Sequence, residues 1–271
     1  MNRLIPLAAA LMLAAAPAPL LAQTPTPPAV TTDVTEWPLA KIVALGTDLY
    51  RHDQAAWVAT DAFLEFLGDE RPADIVGWIV TGKGNDLMVR FLRRAGEDDL
   101  RPGWDIRVVD GVAGSVVPAA DDAVLGADEK ARFRARQTAS SGLGRAPCSR
   151  TMNAVVLADP DSEDWLVWLL TPVPSAGSLP IGGHIRHRVS ADGLTLLSRE
   201  SLSRSCLVLE PSTTPEGSTT AGLFATHIVS DTPVETHVFL SLQSGLPLYV
   251  GTGDIVWLVD GATVEQVEVN P

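Results

Sequence analysis

Cysteine is almost missing from this 271-residue chain: Cys148 and Cys206 are its only two, and they form no Cys-x-x-Cys spacing. That removes the usual cysteine-rich zinc site from consideration. Positive charge is also scarce. Twenty Lys and Arg stand against 33 Asp and Glu, a formal charge of −13 and a pI near 4.7. A chain so acidic is not built to grip the phosphates of nucleic acid or an anionic membrane surface. Beyond the first residues no apolar run approaches the roughly 18 needed to span a bilayer. The familiar catalytic signatures are missing too. There is no Gly-x-Ser-x-Gly elbow, since Gly111-Val112-Ala113-Gly114-Ser115 has its glycines out of place. Neither an HExxH helix, a GxGxxG turn nor a phosphate-cradling loop occurs. No repeat of fixed period is visible.

What is present can build a core. Hydrophobic residues make up 46% of the chain and seven are Trp, which excludes a disordered polymer. Met1 to Ala22 reads as an export signal: Arg3, an Ala- and Leu-rich run interrupted by Pro17 and Pro19, and small residues at the end. Residues 23–34 are Pro- and Thr-rich and are expected to form an extended leader. Residues 35–271 are expected to form one domain. The expected destination is periplasmic or extracellular, where an even cysteine count favours a Cys148–Cys206 disulfide. Two unpaired cysteines are the alternative.

Hydrophobic periodicity then gives the elements. Thr35 is placed to cap a helix from Pro38 to about His52, with a second helix over Ala55 to Leu67. Gly77–Val80 and Leu87–Leu92 read as strands around a glycine-rich turn, and Ala127–Thr138 as a helix. From Asn153 onward strand follows strand, including Trp165–Leu170, His184–Val189, Leu223–Val229 and Thr236–Leu242. Turns every 10–15 residues with no helical period between them argue for antiparallel pairing rather than βαβ units. The fold class predicted is α+β: N-terminal helices packed on a large, mostly antiparallel sheet, stapled by one disulfide.

Three residue groups carry candidate chemistry. His227 and His237 flank Ser230-Asp231-Thr232-Pro233-Val234. A three-residue hairpin loop would set the two rings opposite each other, with Glu235 on the same face. Two imidazoles and a carboxylate would suit zinc; exposed histidines on a solvent face are the alternative reading. In the strand His184–Val189, alternation puts His184, Arg186 and Arg188 on one side and Ile185, His187 and Val189 on the other. The guanidinium groups would form an anion-binding face or pair with neighbouring acids. Gly182-Gly183 just before them permits close backbone approach. His52-Asp53 reads as a helix end, where neighbours do not face each other. Trp165 and Trp168 are expected on opposite sides, one in the core and one at the surface.

The leading expectation is a secreted or periplasmic protein that binds a small molecule or an envelope component, with no cofactor and no membrane span. The alternative is a periplasmic metal-dependent hydrolase with zinc on His227, Glu235 and His237.

Overall fold

The computed structural model describes residues 31–70, 72–96, 99–143, 148–175, 177–210 and 220–268. The expected export signal and most of the leader after it lie outside the described residues. Helix α1 (Leu39–Leu67) is followed by strands β1 (Ile75–Lys83), β2 (Asp86–Arg94), β3 (Leu100–Val109), β4 (Val112–Ala113) and β5 (Val117–Pro118). Helix α2 (Ala127–Ser141) leads into β6 (Asn153–Ala158), β7 (Trp165–Leu170), β8 (Leu179–Pro180), β9 (Ile185–Val189), β10 (Leu196–Ser201) and β11 (Val208–Leu209). The chain ends with β12 (Leu223–Thr226), α3 (Glu235–Ser244), β13 (Leu248–Thr252), β14 (Ile255–Asp260) and β15 (Thr263–Val267).

These elements make an α+β fold. The first sheet runs β1-β2-β3-β4 with β5 also on β3, and the middle sheet runs β10-β9-β7-β6, all antiparallel. The last sheet runs β12-β13-β14-β15, and β8 pairs with β11 as a short ribbon. The single parallel pairing among these sheets is β12 with β13, joined through α3. One βαβ unit is therefore present where the turn spacing implied none.

The middle sheet organises the core because both its faces are covered. On one face Trp165, Val167 and Leu169 meet Ala131, Ala135 and Ala139 of α2. On the other, Leu166, Trp168 and Leu170 meet Ile42, Leu45 and Leu49 of α1 and Val238 to Leu240 of α3. All six residues of β7 are buried, so Trp168 is not the surface aromatic expected. The farther half of α1 turns Ala55, Ala59 and Phe63 onto Leu87, Val89 and Phe91 of the first sheet. A strand buried on both faces loses its polar alternation, which explains the unbroken WLVWLL.

Three local expectations are corrected. The N-terminal helices are one: α1 runs 29 residues without interruption and stops at Gly68, whose φ of +58° suits glycine. The polar stretch at 51–54 resembled a break, but Leu49, His52, Ala55 and Ala59 keep a continuous buried face. Thr35 is not a helix cap; its N–H and Oγ1 donate to Glu200 at 3.0 and 3.2 Å. Thr236–Leu242 is not a strand but the body of α3, buried from Glu235 through Ser241. A helix enclosed on all sides shows neither a two-residue nor a 3.6-residue period, so Val238-Phe239-Leu240 mimics a strand. It packs closely on α1: a Cβ at Gly46 would lie 2.5 Å from the Glu235 carbonyl oxygen and 2.6 Å from Val238 Cβ.

Cys148 and Cys206 form the disulfide, with 5.2 Å between their Cα atoms. Gly182 and Gly183 lie beneath it. A Cβ at Gly183 would sit 2.2 Å from Cys148 Sγ, and one at Gly182 would sit 2.1 Å from the Ser205 carbonyl oxygen.

Candidate functional site

The alternation expected along β9 is present, but its arginine face looks inward. Arg186 is 1% exposed. Its Nη1 donates to Glu235 at 2.9 Å, its Nη2 to the Thr35 carbonyl at 2.8 Å, and its Nε and Nη2 to Glu200. The guanidinium also lies 3.7 Å from the Trp37 ring centre. Four of its five N–H donors are engaged within the fold. Arg188 reaches Asp159 at 2.9 Å, whose side chain is fully buried. His184 is buried as well: Nδ1 accepts from the Thr171 N–H at 3.1 Å and Nε2 donates to the Pro180 carbonyl at 2.9 Å. These three residues hold β9 against its neighbours rather than line an opening.

His227 and His237 do meet, edge on face with ring centres 4.7 Å apart. They do so across a β12–α3 junction and not a hairpin. His227 Nε2 is 2.6 Å from Ser230 Oγ, which donates to the Thr232 carbonyl. His237, in the first turn of α3, accepts the Val234 N–H on Nδ1 at 3.0 Å. Burial drives both imidazoles toward the neutral form, His227 to about 4. Glu235 turns elsewhere: Oε1 accepts from Trp168 Nε1 at 2.6 Å, while Oε2 takes Arg186. Among the described residues, no group of three or more His, Cys, Asp or Glu is arranged to hold a metal ion.

The opening lies elsewhere. A cavity of about 990 Å³ sits where α1, α2, edge strand β1 and edge strand β6 converge. Two sheets ending side by side leave a gap that no strand fills. Ile79, Val80, Val155 and Leu179 contribute its apolar wall, and Trp57, 60% exposed, stands at it from α1.

Five ionisable side chains line this cavity: His52 and Asp53 from α1, Arg132 and Arg136 from α2, and Glu210 just after β11. The His52 Nδ1–H donates to the Asp48 carbonyl at 2.9 Å, leaving Nε2 as the acceptor. Its pKa is lowered chiefly by burial, so the ring is neutral. Asp53 has no ion-pair or hydrogen-bond partner among the described residues, and burial pushes its carboxyl up to about 6. Each arginine caps a sheet edge: Arg132 Nη1 donates to the Val156 carbonyl and Arg136 Nη1 to the Trp78 carbonyl, both at 3.0 Å. Each also lies over an indole, 4.6 Å from the Trp165 ring centre and 4.2 Å from that of Trp78. Burial lowers both guanidinium pKa values.

Sequence reasoning set His52 and Asp53 aside as a helix end and passed over both arginines. One signal was available. Arg132 and Arg136 are four residues apart, hence on the same face of a helix with a thin Ala stripe. The missing ingredient was that two sheet edges would bracket that face. The chain matches no known protein-family model, and no curated protein matches it.

Proposed function

We propose that this is an exported binding protein that holds a small, largely apolar molecule in the cavity between β1 and β6. The 990 Å³ cavity carries the reading: it stands at the upper end of ligand-pocket sizes and joins an apolar wall to a few polar groups. The polar groups are those a receptor site would need. Asp53 offers an unpartnered carboxyl and His52 an imidazole whose tautomer is fixed by its own helix. The walls come from α1, α2, the end of α3 and the edges β1 and β6, with Leu179 of β8 and Leu209 of β11 completing them. The Ala-rich export signal read over Met1 to Ala22 and the Cys148–Cys206 pair support a periplasmic or extracellular setting for it.

The test uses N-phenyl-1-naphthylamine, a neutral apolar fluorophore. The oxidised protein is expected to take it up saturably with a rise in emission, and Ala154→Trp, which fills the β6 wall, is expected to abolish uptake. Absence of saturable uptake, or equal uptake by a folded Ala154→Trp variant, overturns the reading.

A further inference from the structure

The two arginines give the cavity a polarity that its apolar wall alone would not. Arg132 and Arg136 stand one helical turn apart on α2, and both line the cavity. Each is fixed at two points, by one Nη1 hydrogen bond to an edge-strand carbonyl and by stacking on an indole. One bond uses one of a guanidinium's five donors. Arg132 Nε is buried and has no hydrogen-bond partner.

Their charge is poorly compensated. Among the described residues Arg132 pairs with Asp128 alone, at 3.8 Å with a side chain 68% exposed. Glu129, also near it, is held by Arg90 at 2.6 Å. No ion pair to Arg136 is present among the described residues. Asp53 reaches the same cavity from α1 and forms no ion pair with either guanidinium among the described residues. The cavity's other carboxyl, Glu210, comes from the exposed segment after β11, so positive charge gathers on the α2 side, in a chain whose net charge is −13. Arginine forks held rigid beside a water-poor space favour planar or tetrahedral oxyanions.

Resting on the binding role proposed above, we infer that the ligand is an amphiphilic anion, its carboxylate or phosphate head on Arg132 and Arg136 and its apolar body along Ile79, Val80, Val155 and Leu179. The exposed Trp57 and Val173 at the cavity fit this chemistry, since they offer apolar surface to a molecule that is itself apolar at one end. Arg132 and Arg136 would each contribute remaining Nη donors to the head. Their existing bonds to Trp78 and Val156 would keep both forks in place while the head is recognised.

Displacement of bound N-phenyl-1-naphthylamine compares four probes of equal chain length below their micellar concentrations: laurate, dodecyl phosphate, dodecanol and dodecyltrimethylammonium. The anions are expected to compete at least about tenfold better than dodecanol, a margin of one well-placed charged contact. Laurate ahead of dodecyl phosphate would assign a carboxylate head, and the reverse order a phosphate head. Arg136→Gln is expected to remove most of the anion's advantage over dodecanol, both measured in that variant; Arg136→Lys should restore part of it. Because Arg136 also caps an edge carbonyl, the wild-type ranking is decisive even where the Gln variant folds poorly. Dodecanol or the ammonium probe competing as well as the anions overturns the inference while leaving the cavity reading intact. Failure of N-phenyl-1-naphthylamine itself to bind overturns both.

Discussion

His187 offers a stability test that needs no ligand. It sits in the middle of β9 on the α2 side, fully buried, and neither ring nitrogen has a hydrogen-bond partner among the described residues. The Val167 backbone opposite supplies a weak contact short of hydrogen-bond geometry. Burial first, and Arg199 second, push the imidazole down to about 4. A folded pKa below the unfolded one means that the unfolded chain binds the proton more readily. Stability from the neutral ring is therefore complete above the unfolded value of about 6.5 and is lost as pH falls toward 4. Near pH 5 the loss from this one ring is about 2 kcal/mol by linkage. His187→Leu removes the titration and two unsatisfied nitrogens at similar volume. The variant is expected to match or exceed the wild type by up to about 2 kcal/mol near pH 7.5, and to widen that gap by about 2 kcal/mol near pH 5. Urea unfolding of both proteins at the two pH values, disulfide intact, gives the double difference, in which the other histidines cancel. Parallel pH dependences would refute the account, because His187 would then have to be hydrated or partnered.

Asp53→Asn tests the opposite sign. A carboxyl raised to about 6 contributes stability below about pH 4 and loses it as pH rises through 6, so the variant should gain about 1–3 kcal/mol at neutral pH and nothing in acid; thermal unfolding across that range would show it. Arg186→Met strands Glu200 and Glu235 in the core and should cost about 3–5 kcal/mol, with much of it recovered when both glutamates become Gln, as read by urea midpoints. Cys148→Ser with Cys206→Ser opens a loop of 58 residues and should lower stability by about 4 kcal/mol in the chain-entropy picture, measured by unfolding at equilibrium. Gly183→Ala forces a methyl onto Cys148 Sγ at a φ of +85°, and slower disulfide formation during refolding should expose it.

How much of this could be read from the residues depends on what covers each element. β7 was recognisable because six consecutive apolar residues suit a strand with both faces buried. The β9 alternation was also readable, and His187 with Ile185 does face away from Arg186. Whether Arg186 met solvent or Glu235 was not readable, since that depended on α3 lying across the sheet. α3 itself was hidden by its enclosure, although Gly245, left-handed at its end, was a usable stop signal. His227 and His237 come together as supposed, yet through a strand-to-helix junction that turns Glu235 away. The cavity was beyond reach for a different reason. It belongs to a meeting of β1 and β6, 70 residues and more apart in sequence, and no local pattern encodes where two sheet edges stop.

One consequence follows from the length of α1. Ile42 to Leu49 belong to the core under the middle sheet, and Ala55 to Phe63 to the core of the first sheet. No glycine or proline lies between them to act as a hinge. Release of this rod by either body would expose apolar surface of the other, so the two are expected to unfold in one transition, which urea unfolding followed at Trp104 and at Trp257 would check. His52 and Asp53 lie in the span between the two segments, with Trp57 one turn further on. A molecule seated there grips the rod at its midpoint, and amides in both flanking sheets should exchange more slowly when it is bound.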